Sequence, residues 1–226
     1  MNAILLGPQG VGKGTQGQIV APQLKLARIA TGDLIRAAMR AGTPLGALAK
    51  EYYDRGELVP DDVVIGLVVE ELQQVERAEP PLIGALFDGF PRTRPQAEGL
   101  DVALAAVDER IDVVVNIDAP RPVLLERLSG RITCAVCHTV YNLRTNPPKV
   151  PGVCDVCGST ELHQRPDDTE EAILKRLRLY DEQTEPLLAY YRERGIVHEV
   201  DGDRPIEEVT ADLLRILRAA AETSRG

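Results

Sequence analysis

The segment Gly7-Pro8-Gln9-Gly10-Val11-Gly12-Lys13-Gly14-Thr15 narrows what this chain can fold into more than any other stretch. An apolar run, Ala3 to Leu6, leads into it, and a helix expected over Lys13 to Gln23 follows. In that strand-loop-helix setting the glycines let backbone N–H groups wrap an anion. The helix N-terminus adds its positive dipole end, and Lys13 adds a mobile charge. The chemistry implied is binding of a nucleotide's phosphates. Gly14 stands where a Ser or Thr normally meets Mg²⁺ and Thr15 comes one residue later, so the metal is expected through water rather than on a hydroxyl.

The rest of the chain alternates short apolar runs with amphipathic stretches, the pattern of βαβ units closing a parallel sheet. Strands are expected at Ala3–Leu6, Arg28–Ala30, Ile83–Phe87, Val113–Ile117 and Ile196–Val200. Helices are expected at Lys13–Gln23, Leu34–Ala41, Leu45–Arg55, Asp62–Glu76, Arg94–Val107, Pro122–Leu128, Thr169–Arg194 and Ile206–Ala221. The expected fold is α/β, a five-stranded parallel sheet flanked by helices. Its core is drawn from residues 1–30, 61–130 and 169–226. Two insertions interrupt it: a helical pair at 31–60, and an irregular segment at 131–168, rich in Cys, Pro, Thr and Asn, with almost no helical period.

Composition limits the partners. The 226 residues carry a net charge of −9, which argues against a general binder of nucleic acid or anionic membrane, since neutralising phosphates takes clustered Lys and Arg. Any phosphate chemistry is therefore local. No apolar run approaches the ~20 residues that span a bilayer, and no signal-like segment opens the chain, so a cytoplasmic protein is expected.

All four cysteines, Cys134, Cys137, Cys154 and Cys157, form two C-x-x-C pairs separated by sixteen residues. In a reducing compartment that spacing points to tetrahedral structural Zn²⁺, ahead of free thiols, other metals or disulfides. His138 is a rival ligand by position. A nucleic-acid-binding zinc ribbon would need a basic, aromatic surface, and Arg144 and Lys149 are too sparse to make one.

Asp88-Gly89-Phe90-Pro91-Arg92-Thr93 begins where an apolar run ends, at the expected carboxyl edge of a parallel strand, where open α/β sheets bind ligands. Asp88 there can hold Mg²⁺ through waters and Arg92 can fork onto a phosphate. A simple turn, with Asp88 capping the next helix, is the alternative. The three histidines, His138, His163 and His198, belong to none of these motifs, which weakens a Ser/His/Asp hydrolase.

In order along the chain, Gly7 to Thr15, Thr31-Gly32-Asp33-Leu34-Ile35-Arg36, Asp88 to Thr93 with Gln96, and Arg165 with Asp167-Asp168 and Arg176 resemble the motif series of the adenylate kinases. The cysteine segment resembles the long zinc-bearing lid of bacterial members. The resemblance implies Mg²⁺-dependent transfer of a phosphoryl group from ATP to AMP, giving two ADP, by a monomer.

Residue by residue, the resemblance puts ATP on Gly10, Val11, Gly12, Lys13, Gly14, Thr15, Arg127 and Arg131. AMP falls to Thr31, Arg36, Glu57, Leu58, Val59, Gly89, Phe90, Arg92, Gln96, Arg165 and Arg176. Lys13, Arg92, Arg127, Arg165 and Arg176 are the catalytic set it implies, Asp88 the Mg²⁺ carboxylate, and the four cysteines the zinc ligands. Kinases for UMP/CMP or GMP are the nearest enzymatic rivals. A nucleotide sensor without turnover is the rival of another class.

Overall fold

A computed structural model of the chain describes residues 1–54, 59–75, 81–165 and 168–223. Five strands, β1 (Asn2–Leu6), β2 (Ala27–Ala30), β3 (Ala85–Asp88), β4 (Ile111–Asp118) and β8 (Val197–Asp201), form one parallel sheet in the order β2-β3-β1-β4-β8. β1 lies in the middle and all five of its residues are buried. Because side chains alternate along a strand, Ala3 and Leu5 join one apolar cluster and Ile4 and Leu6 the other, so β1 anchors both cores.

The first cluster packs α1 (Lys13–Gln23), α6 (Arg121–Ser129), α7 (Glu170–Leu179) and α9 (Ile206–Thr223) on one face of the sheet, through Val20, Leu124, Leu177 and Leu213. The second packs α4 (Asp61–Val75), α5 (Arg94–Ala105) and α8 (Leu187–Arg192) on the other, through Val64, Leu100, Phe87 and Tyr191. Glycine is required where backbones meet. A Cβ on Gly84 would lie 1.9 Å from the carbonyl oxygen of Met1, beside the point where the terminal ammonium donates to the Ile83 carbonyl at 2.6 Å. The strand expected from Ile83 runs from Ala85, although the Ile83 N–H already donates to the Lys25 carbonyl at 2.9 Å.

Two elements differ from the sequence expectation. The stretch Thr169–Arg194 is not one helix: α7 ends at Leu179, a π-helical turn runs through Tyr180–Thr184, and α8 begins at Leu187. The apolar period continues across the break, but Pro186 has no N–H to continue the α-helical ladder, and Glu185 bonds five residues back to Tyr180. The irregular segment is also ordered. It contains a three-stranded antiparallel sheet, β6-β5-β7, from β5 (Arg131–Cys134), β6 (Val140–Asn142) and β7 (Leu162–His163). Strands of two to four residues are too short to show alternation. The helical pair forms, α2 (Thr31–Ala41) starting three residues before the expected Leu34, and α3 (Pro44–Asp54) one before Leu45, with Arg55 outside the described residues.

Candidate functional site

Strand ends place the site. β1 delivers the glycine loop, β2 delivers Thr31 and β3 delivers Asp88 to the same carboxyl edge of the sheet. Gly7 has φ +134° and an added Cβ would lie 2.1 Å from the Ile117 carbonyl oxygen, so the loop starts flat against β4. Gly10 and Gly12 also have positive φ, and Gly12 precedes the first turn of α1. Thr15 lies in that turn and Val11 is buried beneath it.

Lys13 folds back over its own loop, its Nζ donating to the carbonyls of Gly7 at 2.5 Å and Pro8 at 2.9 Å. Desolvation lowers its pKa to about 8. Asp88 opposes that shift, while Arg92, Arg176 and Arg131 reinforce it. Charges from β3, the loop after it, β5 and α7 are thus all felt at Lys13.

On the side of α2, the Thr31 hydroxyl donates to the Gly89 carbonyl at 3.1 Å, and Arg92 Nε donates to the same carbonyl at 2.8 Å. Gln96 is buried and fully engaged: its Oε1 accepts from the Arg92 N–H at 2.8 Å and its Nε2 donates to Asp61 Oδ1 at 2.6 Å. It clamps the loop after β3 onto α4. Phe90 has no exposed surface and belongs to the apolar cluster, so what it can offer a ligand is its backbone. Val59 packs half-buried against that cluster, whereas Glu57 and Leu58 lie outside the described residues. Arg36 pairs with Asp33 at 2.5 Å.

A second group of arginines comes from α6, β5, α7 and the segment before α7. Arg127 donates to the Gly202 carbonyl at 2.9 Å and to that of Val11 at 3.4 Å, which ties α6 to the glycine loop. Arg131 forks onto Asp168, with Nε to Oδ2 at 2.7 Å and its second nitrogen on Oδ1, while Arg176 reaches Oδ1 at 3.3 Å. Arg165 donates to Thr133 Oγ1 at 3.0 Å.

Asp168, named in the motif series without a role, is the fully buried anion that holds two arginines, and Thr169 caps α7, accepting from the Ala172 N–H. One charged residue beside the site escaped the sequence: Arg28, which pairs with Asp88 at 2.6 Å and with Asp33 at 3.2 Å. A charge in an otherwise apolar strand of a parallel sheet must be paired, and that rule could have singled it out.

The cysteines converge across the small sheet. Their four sulfurs lie within 4.8 Å of one another, and among the described residues they are the group of metal-binding side chains so assembled. Each C-x-x-C pair makes the same turn. The N–H of His138 donates to the Cys134 carbonyl at 3.0 Å and that of Gly158 to the Cys154 carbonyl at 2.9 Å, both residues having positive φ. A tetrahedral ZnS₄ centre with Zn–S of about 2.3 Å fits a cluster this tight. The donor set is complete without His138.

The family model described as adenylate kinase matches residues 5–196. The adenylate kinase of Moorella thermoacetica is 50% identical over 217 residues, covering 96% of this chain and 98% of that protein. The adenylate kinase of Carboxydothermus hydrogenoformans is 47% identical over 96% of this chain and its own full length. That of Bacillus subtilis is 48% identical over 96% of this chain and 98% of its own. A glycine loop at the carboxyl edge of a parallel sheet, with arginines gathered beside it, thus meets a likeness that runs nearly end to end, and the chain belongs to the adenylate kinase family.

Proposed function

We propose that this chain carries out the family's reaction, reversible transfer of the terminal phosphoryl group of ATP to AMP, through the residues assembled at the carboxyl edge of the sheet. One observation carries the reading: the glycine loop with Lys13 folded over it and the Asp88–Arg92 loop emerge side by side from the paired strands β1 and β3 at the carboxyl edge of the sheet. Phosphoryl transfer through a loose transition state asks for positioning and positive charge around the equatorial oxygens and for little else. The acceptor, a phosphate oxygen, is already anionic. No general base is required, consistent with an exposed His198 in β8 and a His138 and His163 confined to the cysteine segment.

In this reading Gly10 to Thr15, Arg127 and Arg131 hold ATP, with Lys13 neutralising the β and γ phosphates. Thr31, Arg36, Arg92, Arg165 and Arg176 hold and orient the acceptor phosphate, while Gly89, Gln96, Val59, Glu57 and Leu58 border its base. Mg²⁺ arrives with ATP as part of the substrate, and Asp88 orients its waters. Residues 31–60 and 131–168 act as the two coverings of a core formed by 1–30, 61–130 and 169–226.

Zn²⁺ on Cys134, Cys137, Cys154 and Cys157 has a structural role, since four thiolates leave no open position for substrate. The protein works as a cytoplasmic monomer, without nucleic acid or membrane. No helix among the described residues is long and apolar enough to cross a bilayer. The test is a coupled assay with ATP and each of AMP, GMP, CMP and UMP. Turnover with AMP at least tenfold above the others is expected. Comparable rates with UMP or CMP, or turnover with no acceptor, would contradict the reading.

A further inference from the structure

Arg28 stands where the two phosphate-binding groups meet. Its Nη2 donates to Asp88 Oδ2 at 2.6 Å and its Nη1 to Asp33 Oδ2 at 3.2 Å, while the other Asp33 oxygen accepts from Arg36 at 2.5 Å. A line of alternating charge, Arg36–Asp33–Arg28–Asp88, thereby joins the arginine assigned to the acceptor phosphate to the carboxylate assigned to the metal's waters.

Glycine makes room for it. A Cβ on Gly17 would lie 3.1 Å from Arg28 Nε, and one on Gly14 would lie 3.6 Å from both Arg28 Nη2 and Asp88 Oδ2. The buried Nε–H has no acceptor. The guanidinium is thus held by Asp33 and Asp88 through its two terminal nitrogens, and a change at one carboxylate is felt at the other. Asp88 is the more enclosed of the two, with 10% of its side chain exposed against 49% for Asp33.

We propose that Arg28 is a positioning residue that couples the two nucleotide sites. An acceptor phosphate that draws Arg36 away from Asp33 leaves Asp33 to Arg28. Arg28 then loosens its hold on Asp88, and that carboxylate becomes available to the hydrated cation accompanying the donor. The coupling rests on the assignment of Arg36 and Asp88 made above. It is reciprocal: a cation that occupies Asp88 pushes Arg28 toward Asp33 and frees Arg36 for the acceptor phosphate.

The test uses the whole protein with a non-hydrolysable ATP analogue, Mn²⁺ as probe cation, and AMP or adenosine in the acceptor site. Loss of the free-ion electron paramagnetic resonance signal gives the Mn²⁺ dissociation constant. Wild type is expected to bind Mn²⁺ about fivefold more tightly with AMP than with adenosine, which lacks the phosphate. Arg28→Gln removes the competing cation, so it should bind Mn²⁺ more tightly than wild type with either acceptor and lose the difference between them. Arg28→Lys should restore part of that difference. Asp33→Asn leaves Arg28 to Asp88 alone and should act in the opposite sense, weakening Mn²⁺.

An AMP–adenosine difference that survives Arg28→Gln, or tighter Mn²⁺ binding in Asp33→Asn, overturns the coupling. Should Arg28→Gln fail to fold, Arg28→Lys and Asp33→Asn carry the same comparison. Turnover of ATP with AMP by the wild type is measured in parallel. Its absence counts against the proposed function, whereas normal turnover with an unaltered Arg28→Gln profile counts against the coupling alone.

Discussion

The parallel sheet and the cysteine segment hold their shapes by different means. Around β1, two apolar clusters enclose the strand from both faces, and Leu5, Phe87 and Leu213 have no exposed surface. In the cysteine segment the buried cluster is Cys134, Tyr141 and Cys154, while Val136, Leu143, Val150 and Val156 face solvent. One region therefore owes its geometry to burial, which supplies about 25 cal/mol for each Å² of apolar surface removed from water. The other is too small to bury much apolar surface, and its four sulfurs, within 4.8 Å of one another, are placed to close around an ion. The difference teaches where chemistry can sit. The glycine loop with Lys13 and the Asp88–Arg92 loop hang on the ends of buried strands, whereas Arg131 and Arg165 are tied to the small sheet beside the cysteines.

The largest effect that would break this division lies in the glycine loop. Lys13→Met and Arg92→Ala should each lower kcat/KM by at least ~10³, about 4 kcal/mol of transition-state stabilisation, with melting temperatures close to wild type. Steady-state kinetics beside thermal melting checks this. Near-normal turnover in either folded variant would remove the role assigned to it.

The next contrast is one of stability. Phe87→Ala opens a cavity in a fully buried cluster and is expected to cost about 3–5 kcal/mol in denaturant unfolding. Val156→Ser, in the cysteine segment and 70% exposed, should change stability by less than about 0.5 kcal/mol. Equal costs at the two positions would show that burial does not distinguish the regions.

The smallest effect is a pair of opposite proton linkages. Lys13, held at about 8 instead of 10.5, loses its proton in the folded protein while the unfolded chain keeps it. Between those pH values the unfolded state binds more protons, so this group's contribution to stability rises with pH across that window. Polyphosphate binding favours the charged ammonium and raises the pKa again. ATP binding at pH 8 should therefore take up about half a proton, whereas metal binding by thiols should release protons. Calorimetry in buffers of different ionisation enthalpy reads both signs, and proton release on ATP binding would contradict the position given to Lys13.

Much of this was legible before any coordinates. The glycine and lysine spacing between a strand and a helix located the loop, and apolar runs bounded by turn residues located all five strands of the sheet. Two of the gaps share a cause, which is that partners distant in sequence decide the outcome. Asp168 stands in a recognisable motif, but its part as the buried partner of Arg131, 2.7 Å away across 37 residues, is set by the tertiary fold. Arg28 belongs with Asp88, sixty positions on. The break between α7 and α8 was hidden by an apolar period that runs through it, with Pro186 the one overt sign. The small sheet was hidden because β7 has only two residues.

Whether the cysteine site serves the shape of the covering rather than the chemistry is tested most directly by a Cys154→Ser/Cys157→Ser variant. Zinc content, thermal melting and turnover with ATP and AMP are measured together, the last well below the variant's own melting point. Wild type is expected to hold one zinc per chain and the variant none. The variant should melt at lower temperature and keep part of its turnover, because Lys13, Arg92 and Arg176 lie outside the cysteine segment. Complete loss of turnover in a protein whose core remains folded would contradict the account, as would a wild type that holds no zinc and melts like the variant.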